Sequence, residues 1–123
     1  MPFSKFKFHS KVSAGLATLG YETPTPIQLQ SIPLVMQGRD VLGLAQTGTG
    51  KTAAFALPIL HRLMSGRTRG QIRAIIIAPT RELAEQTHEF FMQFAKYTGI
   101  RSVTIYGGVS MRPQIAKLRA GVD

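Results

Sequence analysis

The feature that most constrains the fold is a glycine-rich segment that lies between an apolar run and a helix-like run. Residues 45–52 read Ala-Gln-Thr-Gly-Thr-Gly-Lys-Thr, with the apolar residues at 41–44 before them and an apolar stretch at 53–57 after them. Strand, glycine loop and helix in this order are the context that a phosphate-binding loop requires. Glycines let the backbone turn tightly and point its N–H groups at an anion, beside the positive end of the helix dipole. The segment therefore predicts an α/β fold with an anion site at the start of a helix.

Two residues of this loop are suited to phosphate chemistry. Lys51 would reach the β- and γ-phosphates of a nucleotide, and Thr52 would place its hydroxyl on Mg²⁺, so these two are the predicted catalytic residues and Thr52 is the predicted metal ligand. The predicted cofactor-binding loop comprises Ala45, Gln46, Thr47, Gly48, Thr49, Gly50, Lys51 and Thr52. The strict pattern begins with glycine, so the backbone at Ala45 is expected to tolerate a Cβ. The alternative is a Gly/Thr-rich loop that precedes an unrelated helix.

Composition allows a single globular domain with an affinity for anions. The chain has 123 residues, 44% of them hydrophobic, a mean hydropathy of +0.06 and no cysteine, which excludes disulfides and thiolate metal sites. Fifteen Lys and Arg against six Asp and Glu give a net charge of +9, which favours nucleic acid, nucleotides or an anionic membrane surface. A fragment can also be basic because the acidic part of its parent is missing. The N-terminus lacks the apolar core of a signal peptide, and no apolar window is long enough for a membrane span, so we expect a soluble, cytoplasmic protein.

Apolar periodicity and turn residues predict alternating helices and strands. We expect helices at 12–19 (capped by Ser10), from Pro26 onward with a break or kink at Pro33, at 51–64, after Thr80, and at 112–120. We expect strands at 41–45, 73–78 and 102–106, the second of them buried on both faces, and an exposed polar loop at 65–71. The expected core positions of the fourth helix are Leu83, Phe90, Phe91 and Phe94. This alternation predicts a parallel sheet with helices on both faces.

A second group of residues precedes the loop and suits a nucleobase. The segment 20–28 ends in Gln28, and Phe3 lies seventeen residues before Gly20. A side-chain amide donates and accepts at once, so Gln28 could pair with the edge of adenine and select ATP over GTP. Phe3 adds a stacking face for the base. Alternatively, Gln28 is a solvent-facing helix residue.

A third group follows the second and third predicted strands. Pro79, Thr80 and Arg81 come directly after the apolar run at 73–78, and Gly107 and Gly108 follow the run at 102–106. Ligands bind α/β sheets at the carboxyl ends of the strands, and a hydroxyl, backbone N–H groups and an arginine suit a phosphodiester. The alternative for Thr80 and Arg81 is a helix cap beside a surface arginine.

Taken together, these motifs resemble the DEAD-box family of ATP-dependent RNA helicases, in order and at family spacing, over essentially the whole chain. The wording at 38–42 and 55–60 looks most like bacterial RhlE-type members. The resemblance implies a RecA-like P-loop domain truncated at its C-terminal side, with residues 1–123 as the N-terminal portion of the first such domain and the second domain absent. It also implies that ATP and Mg²⁺ are the cofactors, with Phe3 and Gln28 on adenine. The RNA backbone would be contacted by Pro79, Thr80, Arg81, Gly107 and Gly108.

By the same resemblance, the parent protein would separate short RNA duplexes locally, whereas this part of it would bind adenine nucleotide without appreciable hydrolysis. The family's acidic motif is missing, and Glu82, Glu85 and Glu89 belong to a helix on the RNA side. An incomplete sheet would also expose a strand edge, so we expect dimerisation or aggregation through it. Alternatives are a non-enzymatic nucleotide- or RNA-binding module, a related DNA helicase, and a purely structural basic domain.

Overall fold

The structure, a computed structural model, describes residues 2–66 and 71–123 of the chain. A short 3-10 helix at Phe3–Phe6 is followed by five α-helices: α1 (Ser10–Thr18), α2 (Pro26–Met36), α3 (Lys51–Leu63), α4 (Arg81–Phe94) and α5 (Met111–Ala120). Within these two described ranges, no helix combines the length and the apolar character needed to cross a bilayer. Residues 67–70 of the predicted polar loop lie outside the described part of the chain.

The helices begin close to where local capping signals predict them. The hydroxyl of Thr80 accepts the N–H of Leu83 at 3.1 Å, so Thr80 caps α4 as expected. Helix α1 is capped by His9, whose Nδ1 accepts the N–H of Lys11 at 3.2 Å, and Ser10 is its first helical residue rather than its cap. The cap prediction was thus wrong by one residue, because an imidazole nitrogen accepts a backbone N–H as a serine oxygen would.

Pro33 does not break helix α2, so of the predicted break or kink at this position the break is excluded. The helix runs on to Met36, and the N–H of Gln37 donates to the Pro33 carbonyl at 3.1 Å. A proline inside a helix removes one donor and crowds the preceding turn. Here it lies in the last turn, so few residues follow it before the helix ends.

The hydrophobic core lies among the first four helices. Val12, Ile32, Leu57, Leu60 and Phe94 each have 0% of their surface exposed. Leu57 and Leu60 belong to α3, and the other three belong to α1, α2 and α4 in chain order. Helix α2 packs most extensively on α3. Burying a side chain of this size stabilises a fold by about 1.5–3 kcal/mol. The core therefore fixes α3, and with it the loop that precedes α3.

The three predicted strands form no sheet in the described residues. Their contact is confined to the chain's end, where the Asp123 carbonyl accepts the N–H groups of Arg73 and Ala74 at 2.7 and 3.1 Å. The N–H of Asp123 donates in turn to the Arg101 carbonyl at 2.9 Å. The predicted parallel sheet is therefore unconfirmed, although Asp123 connects the run at 73–78 to Arg101, directly before the run at 102–106.

Two burial predictions were wrong for the same reason. The run at 73–78 is not buried on both faces, since Ile75 and Ile77 are 80% and 91% exposed. Leu83, expected in the core, is 41% exposed, whereas Phe91 and Phe94 are buried. Burial requires covering layers, and the layer that covers α4 is formed by α1 and α3 rather than by a sheet. Between the apolar runs lies a cavity of about 670 Å³, lined by residues such as Ile59, Ile75, Phe91 and Val103.

Candidate functional site

The loop at 45–52 has the backbone shape that anion binding needs. Gly48 and Gly50 adopt left-handed conformations with φ of 81° and 86°. Gly50 is the N-cap of α3, whose first residue is Lys51, as the sequence predicts. The left-handed region is accessible to glycine at little cost and disfavoured for other residues. The loop therefore ends at the N-terminus of a 13-residue helix, where free N–H groups and the helix dipole favour a phosphate.

Two polar side chains of this loop donate hydrogen bonds to the loop's own backbone. Lys51 Nζ donates to the Ala45 carbonyl at 2.6 Å, and Thr49 Oγ1 donates to the Gln46 carbonyl at 2.6 Å. Lys51 is exposed and Thr52 is half-buried. A phosphate entering the loop would exchange the Ala45 carbonyl for a charged acceptor, which forms the stronger hydrogen bond with an ammonium group.

Gln28 is a buried residue that joins α2 to the loop. Only 1% of its surface is exposed. Its Oε1 accepts the N–H of Thr25 at 2.9 Å, and its Nε2 donates to the Gly50 carbonyl at 3.1 Å. The solvent-facing alternative is therefore excluded. An amide has two donor hydrogens and two acceptor lone pairs, so each end retains capacity for one further partner.

The surroundings of Gly50 fit the adenine nucleotide that the motif implies. A Cβ at Gly50 would collide with the Gln28 amide, so only glycine leaves room for that side chain. The Thr25 hydroxyl lies beside the same turn and takes part in a capping box with Gln28 at the start of α2. A glycine cradle and a buried amide with spare capacity together suit a nucleotide.

Phe3 lies in an aromatic cluster rather than at an open face. It is 3% exposed and packs edge-on against Phe6 and Tyr21, with 5.9 Å between ring centroids in each pair. Tyr21 continues the cluster to Phe94, at 5.3 Å. These contacts are with the core and not with Gln28, so stacking of Phe3 on a base stays a prediction. The structure assigns Phe3 a packing role that its sequence position did not indicate.

The predicted nucleic-acid residues come together at the start of α4. The Arg81 guanidinium lies 5.5 Å from the centroid of the Tyr106 ring, and a Cβ at Gly108 would collide with it. Gly108 has a φ of 80°. Thr80 caps the same helix, so its hydroxyl is bonded to Leu83. The helix-cap alternative is correct for Thr80, and Arg81 is exposed as that alternative expected, with its guanidinium over the Tyr106 ring.

A polar network behind Arg81 was not predicted. One carboxylate oxygen of Glu85 accepts hydrogen bonds from Thr104 Oγ1 at 2.7 Å and from the Tyr106 hydroxyl at 3.0 Å. The Thr104 bond is the main cause that lowers the pKa of Glu85, and the bond from Tyr106 adds to it. The same carboxylate raises the pKa of Tyr106. The sequence signal for this network is a pair of hydroxyl residues two positions apart, Thr104 and Tyr106. Their partner, Glu85, lies one turn after Arg81 on α4.

Comparison with known proteins agrees with the loop and its surroundings. Residues 25–123 match the model of the family described as DEAD/DEAH box helicase. The chain is 45% identical over 121 residues to "ATP-dependent RNA helicase DBP10" of Candida albicans, and 43% identical to the protein of the same name in Vanderwaltozyma polyspora. Each match covers 98% of this chain but only 13% and 12% of those relatives, so the chain spans about an eighth of their length. These relatives are fungal rather than bacterial.

Solved structures with the same fold are also helicases of this kind. The crystal structure of the RNA helicase Prp28 from Chaetomium thermophilum, bound to ADP, has a TM-score of 0.86 and 38% identity. A DEAD box protein from Methanococcus jannaschii has a TM-score of 0.90 and 32% identity. They cover 98% and 99% of this chain, which in turn covers 30% and 33% of theirs. The chain belongs to the DEAD/DEAH box helicase family, and its structural neighbours are RecA-like helicase domains.

Proposed function

We propose that this chain is the N-terminal portion of the first RecA-like domain of an ATP-dependent RNA helicase of the DEAD-box type. The parent protein would couple ATP binding and hydrolysis to the local separation of RNA duplexes by closing two domains on its ligands. The observation that carries the proposal is the buried contact between Gln28 and Gly50, which joins a base-reading amide to the phosphate loop. The family match supports the activity.

This proposal assigns roles to residues of the phosphate loop, to Gln28 and to the residues near the start of α4. The Gln28 amide pairs with the adenine edge, and the backbone N–H groups at 48–52 surround the phosphates. Lys51 leaves the Ala45 carbonyl for the terminal phosphates, and Thr52 supplies a hydroxyl ligand for Mg²⁺. When bound, the metal ion neutralises charge that develops on the transferred phosphoryl group. Pro79, Thr80, Arg81, Gly107 and Gly108 form the proposed RNA-backbone contact.

We also propose that the chain itself binds adenine nucleotide weakly and scarcely hydrolyses it. Phosphoryl transfer depends on positioned water, metal-binding carboxylates and countercharges. Glu82 lies in the first turn of α4 next to Arg81, and the Glu85 carboxylate is bonded to Thr104 and Tyr106. These acidic groups are therefore placed on the proposed RNA side of the molecule.

A nucleotide titration tests the binding site. Calorimetry with ATP, ADP, AMP and GTP should show tighter binding of ATP than of GTP by about tenfold or more. A mismatched base would place its own polar edge against the Gln28 amide without forming the two hydrogen bonds that adenine forms, at a cost of about 1–3 kcal/mol. Lys51→Ala should weaken ATP binding by about ten- to a hundredfold through the loss of a charged hydrogen bond. Lys11→Ala, at an exposed lysine of α1, is the matched control. Equal affinity for ATP and GTP would refute the role of Gln28.

A phosphate-release assay with RNA present tests the proposed lack of turnover. We expect a rate indistinguishable from that of Lys51→Ala. Robust turnover that Lys51→Ala abolishes would show that the chain carries its own catalytic groups.

Three further proposals rest on narrower support. Self-association through the apolar runs is supported by the exposure of Ile75 and Ile77. Kinship with bacterial RhlE-type members is supported only by the wording at 38–42 and 55–60. The cytoplasmic location stays a prediction from the sequence.

A further inference from the structure

Tyr106 is held in place from two sides by hydrogen bonds. Its backbone N–H donates to Gln114 Oε1 at 2.9 Å, and its carbonyl accepts from Gln114 Nε2 at 3.3 Å. Its hydroxyl donates to Glu85 Oε1 at 3.0 Å. Helix α5 thus fixes the backbone and α4 fixes the tip of the ring, which leaves the ring few orientations.

Arg81 lies against the face of this fixed ring. Its guanidinium is 5.5 Å from the ring centroid, within the range of a cation–π contact, and it also borders Gly108. Within residues 2–66 and 71–123, the Arg81 side chain forms no hydrogen bond or ion pair. A guanidinium that contacts an aromatic face through its π-system still has its N–H groups available to an anion.

Glu85 is the residue that would ordinarily neutralise Arg81. The two lie four residues apart on α4, the spacing at which an arginine and a glutamate form an ion pair. Instead, the Glu85 carboxylate accepts bonds from Thr104 and Tyr106. In the described part of the chain it forms no ion pair with Arg81, so the hydroxyls of the 104–106 segment occupy the carboxylate that could otherwise pair with the arginine.

We propose that Tyr106 is a positioning residue for RNA binding: anchored by Glu85 and Gln114, it supports the Arg81 guanidinium and keeps the neighbouring carboxylate from pairing with it, so that Arg81 presents its N–H groups to an RNA phosphate. The proposal rests on the proposed RNA contact of Arg81. It assigns a shared role to residues from α4, from the 104–106 segment and from α5.

A double-mutant cycle in the 123-residue chain tests the coupling between Tyr106 and Arg81. The probe is a fluorescent single-stranded oligouridylate, and its affinity is measured over a series of salt concentrations. Arg81→Ala should make the slope of log affinity against log salt concentration shallower by about one, the change expected for the loss of one phosphate contact. Tyr106→Leu should weaken binding about two- to fivefold when Arg81 is present, the loss expected for an exposed cation–π contact, and have no further effect in Arg81→Ala.

Further variants separate the two effects of Tyr106, which are the contact of its ring with Arg81 and the bond of its hydroxyl to Glu85. Tyr106→Phe combined with Thr104→Val keeps the ring but removes both hydrogen bonds to Glu85 Oε1, so RNA affinity should fall. Adding Glu85→Gln to this pair should restore it. Tyr97→Leu is the matched control, because Tyr97 carries a similar contact with Lys96, at 5.4 Å, near the other end of α4. It should leave RNA affinity unchanged. Ring-current shifts on the Arg81 side-chain resonances, lost in Tyr106→Leu, should report the stacking without RNA.

The outcomes distinguish this inference from the proposed function. If Arg81→Ala does not alter RNA affinity, the RNA contact is wrong and the inference is overturned with it. If Arg81→Ala weakens binding while Tyr106→Leu has no effect, or has the same effect in both backgrounds, the inference alone is overturned. Absence of the ring-current shift would likewise refute it.

Discussion

At the scale of single residues, Gly15 shows how closely two helices approach. A Cβ built on Gly15 of α1 would collide with the Phe94 carbonyl of α4, and Phe94 is 0% exposed. The backbone of α1 therefore lies directly on the C-terminal end of α4. Glycine is normally a poor helix residue, costing about 1 kcal/mol relative to alanine. Its presence here is explained by the distance between the helices.

We predict that Gly15→Ala destabilises the chain despite its better helix propensity. The overlap with the Phe94 carbonyl forces the helices apart, and overpacking of this kind costs about 1–3 kcal/mol. Lys11→Ala on the same helix is exposed and should change stability by less than about 0.5 kcal/mol. Urea unfolding curves of the three proteins measure the difference. A more stable Gly15→Ala variant would contradict the structure.

Single residues also show where the sequence was informative. Lys51 as the start of α3 and Thr80 as a cap were predictable because caps and loop glycines act through neighbours within a few residues. The burial of Phe3 and Gln28 and the exposure of Leu83 depend on distant partners, which no local pattern specifies. The Glu85 network joins residues about twenty apart in sequence, so the spacing of Thr104 and Tyr106 indicates a shared face but does not identify Glu85 as its partner.

At the scale of elements, a histidine pair joins the start of α1 to the end of α3. The N–H of His9 donates to Nδ1 of His61 at 2.8 Å, and the Phe8 ring lies 6.2 Å from the imidazole. A helix C-terminus favours a positively charged histidine. Here, however, burial lowers the pKa of His61, and the nearby His9 lowers it further. The accepting nitrogen must be unprotonated, so the junction requires a neutral His61.

We predict that this junction weakens in mild acid. Because the pKa of His61 is lower in the folded chain, its neutral form contributes stability that is present above the unfolded value of about 6.5 and is lost as pH falls through the folded pKa. His61→Asn keeps an acceptor for the His9 N–H without a titrating ring. Urea midpoints at about pH 7.5 and 5.5 should therefore differ more for the parent chain than for His61→Asn. Equal differences would remove His61 as the cause.

At the scale of the whole molecule, one side is a packed helical core and the other carries uncovered apolar runs. The RecA-like fold class followed from the alternation of apolar runs and the phosphate loop, and solved structures of this kind resemble the chain. The parallel sheet that was predicted with it is unconfirmed. Strand pairing depends on partners across the ladder more than on propensity, and Asp123 bonds both to the run at 73–78 and to Arg101, which precedes the run at 102–106.

We predict that this uncovered side drives self-association. Ile75→Lys with Ile77→Lys places charge on a run that is 80% and 91% exposed at these positions, and should shift the chain towards monomer. Leu19→Lys, at a residue 37% exposed at the end of α1, is the matched control and should not. Sedimentation velocity over a range of concentrations measures the change. A parent chain that stays monomeric at high concentration would count against the proposal.

The two candidate sites share a feature with an evolutionary consequence. In each, a glycine with a left-handed backbone makes room for a long polar side chain from another element: Gly50 for Gln28, and Gly108 for Arg81. A substitution at either glycine therefore changes the conformation of a residue far away in sequence. Mutations at 50 and 28, or at 108 and 81, should be epistatic rather than additive. Selection on each ligand contact thus acts on a pair of positions, and the glycine of each pair has no side chain with which to contact the ligand.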